Sequence, residues 1–383
     1  MNVGVIAEYN PFHNGHLYHL KKVKEMFPNS NLILILIGNF TQRGEASIIN
    51  KWDKAKVALE YGYDLVVELP FIFATQAASI YAKGSIDILN SLNCNYLVFG
   101  SESDDINTLN ELATLTYDNK DYEDLVKKYN SLGINYPSAC SLALKDISGK
   151  LINKPNDVLG LEYIKQIKKT NSKIVPICIK RTNEYHEIKI TNTIASASSI
   201  RKNLNDKNSI KKVMPESIIK YISDINHDKY FNLLKYEILS SDNLNCYLGV
   251  NEGIENKLKK EIIHSKDLNE FILRVKSKRY SYNNISRMLL HIVCKIKKED
   301  NDLNLKYIRV LGLSDNGKKI LKKSKKNINI PIITKYKKEY NKLFKNDYKA
   351  NLIYSLIANY DIKDEFKSSI KINEKNRSTN NSM

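Results

Sequence analysis

Apolar residues alternate between two patterns over the first hundred positions. Short continuous apolar runs stand at Val3–Ala7, Leu32–Ile37, Asp64–Glu68 and Tyr96–Phe99, the last followed by Gly100. Runs of this length, apolar on successive positions, suit strands covered on both faces, as in a parallel sheet. Between them, His16–Phe27, Lys51–Tyr61 and Gln76–Leu92 space their apolar residues as helices do. That β-α-β-α order predicts an α/β fold with a Rossmann-like, doubly wound parallel sheet. Residues 104–130 read as polar helices forming an insertion. Ala139–Lys150 and Asp157–Lys168 read as further helices, and Ile174–Ile179 as a fifth strand.

After Ile200 the pattern changes. Glu216–Ile225, Phe231–Leu239, Leu268–Val275 and Tyr282–Lys297 are rich in Lys, Ile and Leu at helical spacing. Tyr307–Leu311 and Ile328–Thr334 are strand candidates, and helix is expected from Lys335 past Ile357. The reading divides the chain into a catalytic domain, 1–204, a basic and mainly helical region, 205–370, and a polar, disordered tail, 371–383.

Charge sharpens that division. The 383 residues carry 60 Lys+Arg against 42 Asp+Glu, a net +18. Residues 1–200 hold 21 basic and 21 acidic side chains, so all of the excess lies beyond them. A lysine-rich genome would load both halves alike; the asymmetry points to a polyanionic partner for the second. The longest strongly apolar run, Leu32–Ile37, is six residues, against the ~20 that cross a bilayer. The start lacks the basic leader and apolar core of a secretion signal. No membrane partner is expected, and the cytoplasm is the expected location. Five single cysteines without a C-x-x-C pair point to small core residues rather than a zinc ribbon or a disulfide framework.

Chemistry concentrates in Ala7–His16, which follows the first strand and opens the first helix. Pro11 stiffens the loop and Gly15 admits a ligand close to the backbone. A helix start offers free N–H groups and partial positive charge, which suit phosphate. His13 and His16, one turn apart, can donate hydrogen bonds to phosphate oxygens and to charge developing at phosphorus. The segment resembles the signature of the HIGH-type nucleotidyltransferase superfamily, whose members bind ATP, let a nucleophile attack the α-phosphate and release pyrophosphate. A second superfamily signature, S-S-T-x-I-R, is similar to Ser196–Arg201, with Ala197 and Ser198 in place of the usual Ser and Thr. Hydroxyls, N–H groups and the Arg201 guanidinium can hold β- and γ-phosphates there.

The match extends through Gly38–Glu45, Asp64–Pro70, Phe99–Glu102, Asn156–Gly160 and Ile179–Thr182. Together these segments resemble the bacterial tRNA(Met) cytidine acetate ligase family over about the first 200 residues. The resemblance implies a ligase that activates acetate with ATP to acetyl adenylate. The acetyl group then passes to N4 of the wobble cytidine of elongator tRNA(Met), giving N4-acetylcytidine. It implies His13, His16, Arg43, Ser198 and Arg201 as catalytic residues. It implies ATP binding by Ala7, Glu8, Tyr9, Asn10, Pro11, Phe12, His13, Asn14, Gly15, His16, Leu17, Tyr18, His19 and Leu20, with Gly100, Asn156 and Arg181.

By position, Arg43 can pair with the acetate carboxylate or a phosphate, and Lys51 can face the same crevice. Glu68 is either a positioning carboxylate or a buried partner, and Asp64 opens its strand. By spacing alone His19 and His186 form no constellation, and His227, His264 and His291 sit at scattered helical positions. Mg²⁺ is expected with ATP, held by phosphate and water, and no protein ligand is assigned.

In the basic half, Lys318–Lys326, Lys335–Lys342 and Arg274–Tyr282 crowd lysines, the last two with interleaved tyrosines. Such runs neutralise phosphates and stack on splayed bases. Lys322, Lys323, Lys325, Lys326, Lys337 and Lys338 are the tRNA-binding candidates. The main alternative is a small-molecule adenylyltransferase of the same superfamily, which leaves the basic half unexplained. A non-catalytic RNA-binding protein has no need of His13, His16 and Arg201 together. A class I aminoacyl-tRNA synthetase would show a K-M-S-K-S loop, which the sequence lacks. Assembly into a homo-oligomer is left open.

Overall fold

The apolar runs assemble side by side. The structure, a computed structural model, describes residues 1–181, 193–326 and 328–373. Its strands are β1 (Asn2–Ala7), β2 (Asn31–Ile37), β3 (Leu65–Leu69), β4 (Tyr96–Ser101), β5 (Val175–Lys180), β6 (Ile308–Leu313), β7 (Ile332–Ile333) and β8 (Ile370–Lys371). They form one sheet in the order β5-β4-β1-β2-β3-β6-β7, with β8 also on β6. The first five run parallel, and β6 joins β3 antiparallel. Leu32 to Ile37 are all buried, as a strand covered on both faces requires. The order reverses between β1 and β4, so the loops at their carboxyl ends splay apart. Open α/β sheets bind ligands at such a crevice.

Helices Asn14–Met26, Lys51–Glu60, Ala78–Ser91 and Pro155–Lys169 alternate with the strands, as expected. Three helices, Ile106–Thr116, Lys120–Ser131 and Tyr136–Ser148, form the insertion. The C-terminal part is helical, but it also returns β6, β7 and β8 to the β3 edge of the sheet. The first strand candidate is found shifted to Ile308–Leu313, and of Ile328–Thr334 only Ile332–Ile333 is strand. Helix does not resume at Lys335: Tyr336 and Tyr340 pack on Phe344, and the helix begins at Lys345. Lys371 does not begin a free tail. It pairs with Leu313 in β8, and the Ile372 N–H donates to Leu313 O at 3.2 Å. Thr182, His186 and the tail from residue 374 lie outside the described residues.

Candidate active site

A cavity of about 530 Å³ opens at the β1/β4 crevice, within the range that small-molecule sites occupy. Ala7, Glu8, Tyr9, Asn10, His13, Gly15, His16, Tyr18, His19, Arg43, Gly100, Asn156, Arg181, Ser198 and Arg201 all line it. Segments far apart in sequence therefore converge as the two signatures suggested. Pro11, Phe12, Asn14, Leu17 and Leu20 lie away from it. Helix Asn14–Met26 has two sides, and Leu20 is buried in the core, as is Phe12 just before the helix. Asn14 Nδ2 instead donates to Thr193 O (2.8 Å) and Lys212 O (3.0 Å), tying the helix start to later chain.

The helix start fixes both imidazoles of the first signature. His13 caps the helix, its Nδ1 accepting the Gly15 N–H at 3.1 Å, while His16 Nδ1 accepts the His13 N–H at 3.3 Å. With Nδ1 accepting, the proton of each neutral ring sits on Nε2, free to donate to a ligand. The rings stack at 3.8 Å. A Cβ at Gly15 would lie 2.9 Å from His13 Cε1, so the position excludes larger residues.

Burial pushes the His13 pKa down to about 3, and Arg181 and Arg201 add to it. Burial and then Arg181 hold His19 at about 4; His16 is also pushed well down, by burial first and then by His13. All three are neutral donors at neutral pH, in a field that favours an arriving anion. The unfolded chain takes up these protons near pH 6.5; in the folded chain His13 resists to about 3 and His19 to about 4, and burial holds His16 back as well. Stability should therefore be full above pH 6.5 and fall as pH drops through that window. Across that window His13 alone costs up to about 1.4 kcal/mol of stability per pH unit, and the half-buried His19 costs less. Melting curves between pH 7.5 and 4 test this; a flat profile would contradict neutral imidazoles.

Among the described residues, three buried polar atoms in the cavity wall have no partner: Asn10 Nδ2, His19 Nε2 and Arg181 Nε. Unpaired buried donors are costly, so their clustering marks the place of a polar ligand. Across the cavity, Ser196 caps helix Ala197–Lys202 by accepting the Ser199 N–H at 3.1 Å, and its Oγ lies 3.0 Å from Ser198 Oγ. Arg201 reaches Asn10 O at 2.9 Å and Glu45 at 3.0 Å, which spans the two signatures. On the β4 side, the Glu102 carboxylate accepts the Asn156 Nδ2–H (2.6 Å) and the Asp157 N–H (3.0 Å). Asn156 thus turns its amide oxygen to other partners.

Lys51 does not face the crevice. It is fully buried and pairs with Glu68 (2.9 Å) and Glu365 (2.8 Å), which makes Glu68 a buried partner. Lys54, which sequence reasoning passed over, serves the site instead. Its Nζ donates to Glu8 O (3.2 Å), Ile37 O (3.2 Å) and Gly38 O (2.7 Å), holding the carboxyl ends of β1 and β2 together. Burial outweighs the pull of Glu8 and Glu68 and lowers its pKa to about 7. His19, which spacing alone placed in no constellation, lines the cavity one turn beyond His16. Glu45 and Phe99 lay in matched segments without being singled out, while Arg287 and the rings of Tyr81 and Tyr163 gave no sequence signal, because only the fold brings them to the cavity.

Lys322, Lys323, Lys325, Lys326, Lys337 and Lys338 are exposed and none lines the cavity. Helix Asp315–Ser324 packs on β2, β3 and β6. From β1 to β6 is three strand spacings, about 14 Å at roughly 4.8 Å each. Of the three basic runs, Arg274–Tyr282 adjoins the cavity. It leads into helix Tyr282–Val293, whose Asn283 and Arg287 line the wall, and Lys278 O accepts from Asn135 Nδ2 of the insertion at 3.3 Å.

Among the described residues, no cluster of three or more His, Cys, Asp or Glu could hold a metal ion, and no helix is long and apolar enough to cross a membrane.

The family described as HIGH Nucleotidyl Transferase matches residues 1–369. The chain is 39% identical over 376 residues to a tRNA(Met) cytidine acetate ligase of Caldicellulosiruptor saccharolyticus, covering 92% of this chain and 93% of that one. It is 39% identical over 384 residues to the enzyme of the same name from Clostridium perfringens, covering 93% and 96%. A solved structure of Thermotoga maritima TmcAL bound with alpha-thio ATP is similar, with a TM-score of 0.84 and 29% identity, over 97% of this chain and 99% of that one.

Proposed function

We propose that this chain, which belongs to the HIGH nucleotidyl transferase family, is a tRNA(Met) cytidine acetate ligase like the relatives it matches along almost its whole length. One observation supports this most: two neutral imidazoles, fixed with Nε2–H free, face the Ser196–Arg201 helix start across a cavity with unpaired buried donors. That arrangement suits a triphosphate. ATP lies with its adenosine toward Gly100, Asn156 and Arg181, and its phosphates between His13, His16, Ser198 and Arg201. An acetate oxygen attacks the α-phosphorus, pyrophosphate leaves, and acetyl adenylate forms. His16 and His13 donate to phosphate oxygens as charge builds up on them. Mg²⁺ enters with the nucleotide and screens its phosphates.

The cytidine N4 of elongator tRNA(Met) then attacks the acyl carbon and AMP departs. The protein contributes chiefly position and charge, and no side chain serves as a covalent nucleophile. Residues 1–204 carry the adenylation and residues 205–370 grip the tRNA, in the cytoplasm. Exposed Lys276 and Lys278, beside the cavity, are placed to meet anticodon-loop phosphates, and the wobble base must be turned into the site. Lys322 to Lys326 and Lys337 to Lys338 lie farther out and would contact the stem.

The test is mass spectrometry of nucleosides from unmodified elongator tRNA(Met) incubated with protein, ATP, Mg²⁺ and acetate. The expected product is a wobble cytidine heavier by one acetyl group. ATP binding without acetylation, together with release of a stable dinucleotide, would favour the small-molecule adenylyltransferase.

A further inference from the structure

Arg287 comes from the C-terminal part yet points into the cavity wall beside Gln42 and Arg43. Helix Tyr282–Val293 brings it there by lying backbone to backbone on the Gly38–Glu45 loop. Gly44 has φ +84°, and a Cβ on it would lie 2.8 Å from Arg287 N and Ser286 O. Among the described residues, the Arg287 side chain has no carboxylate within ion-pair distance. It makes one long hydrogen bond, from Nη1 to Gln42 O at 3.4 Å. Most of its five N–H groups therefore remain to be used. Burial pushes its pKa down to about 10. A half-buried guanidinium that lines a cavity without a counter-charge is placed to receive an anion.

Which anion follows from position. The triphosphate has its own cations, Arg201 and Arg181, close enough to depress His13. Arg287 stands instead on the loop after β2, where a second substrate must approach the α-phosphate. A tRNA phosphodiester, bulky on both sides, would meet the exposed lysines of the 276–278 rim first. A small carboxylate can enter further. We infer that Arg287 binds the carboxylate of acetate and holds it for attack on the α-phosphorus; the assignment rests on the acetate-activating function proposed above.

The test is acetate-dependent exchange of labelled pyrophosphate into ATP, without tRNA, in Arg287→Met and Arg287→Lys proteins. Arg287→Met should raise the KM for acetate by about tenfold or more, with the KM for ATP within about twofold. Arg287→Lys, which keeps the charge, should recover part of the loss. An unchanged acetate KM with a raised tRNA KM in the full reaction would overturn the assignment in favour of an RNA phosphate. An equal rise in the ATP KM would make Arg287 a nucleotide ligand. Wild-type protein that binds ATP but shows no acetate-dependent exchange would refute the acetate function itself, a result separate from any difference between the variants.

Discussion

Acetate-dependent pyrophosphate exchange should fall by roughly 10²–10³-fold in a His16→Ala protein, the usual cost of losing one donor to developing charge. His16 Nδ1 is occupied by the His13 N–H at 3.3 Å, so the ring presents Nε2–H to the cavity. Burial and its cationic neighbours keep the ring neutral. It donates without having to lose or gain a proton, and the reaction proceeds at neutral pH without titrating it. Charge on the α-phosphate oxygens grows as acetate attacks, so the hydrogen bond strengthens toward the transition state. The loss should therefore appear in kcat, with a smaller change in the KM for ATP. Removing His16 also deletes half of a reciprocal helix cap, worth about 1 kcal/mol, so the protein should still fold. A His16→Ala enzyme with unchanged kcat and a raised ATP KM would reduce His16 to a ground-state phosphate ligand.

Much of this site was legible in the sequence because it is local. The strand, the Asn10–Gly15 loop and the helix start occupy fewer than twenty consecutive residues, and β1's place at the switch point follows from the β-α-β-α pattern. Ser196–Arg201 could be paired with it only through its resemblance to the superfamily's second signature; by itself the segment reads as an ordinary capped helix start. What failed is tertiary. Lys51 looked like a crevice residue because it opens a helix after a strand, but Glu365, 314 residues later, takes its charge. Arg287 sits in an ordinary amphipathic helix, and nothing in its neighbours marks it. The Lys335–Lys342 run looked like a basic helix with stacking tyrosines; Tyr336 and Tyr340 instead pack on Phe344. β8 was invisible because two residues carry no periodicity.

Replacing Lys51 with methionine should destabilise the fold by about 3–5 kcal/mol, the cost of breaking a buried charge network by removing one partner. At roughly 2–4 °C per kcal/mol, the melting temperature should fall by about 10 °C. Lys51 Nζ bridges Glu68 and Glu365, and Arg309 bridges the same two at 3.4 and 2.8 Å. Two cations balance two carboxylates; without Lys51 one buried negative charge is left over. Burial alone would raise the Glu365 pKa, but Lys51 and Arg309 outweigh it and hold it at about 2. Its contribution is therefore present above pH 4.5 and lost as pH falls toward 2. In Lys51→Met that carboxyl protonates more easily, so the gap between variant and wild type should narrow in acid. Adding Glu68→Gln removes the surplus charge and should recover part of the stability. The four residues come from helix Lys51–Glu60, β3, β6 and the turn Ile362–Phe366, so the cluster fastens the C-terminal part to the sheet. An unchanged melting temperature with lost pyrophosphate exchange would return Lys51 to the crevice and break this account of how the two parts are joined.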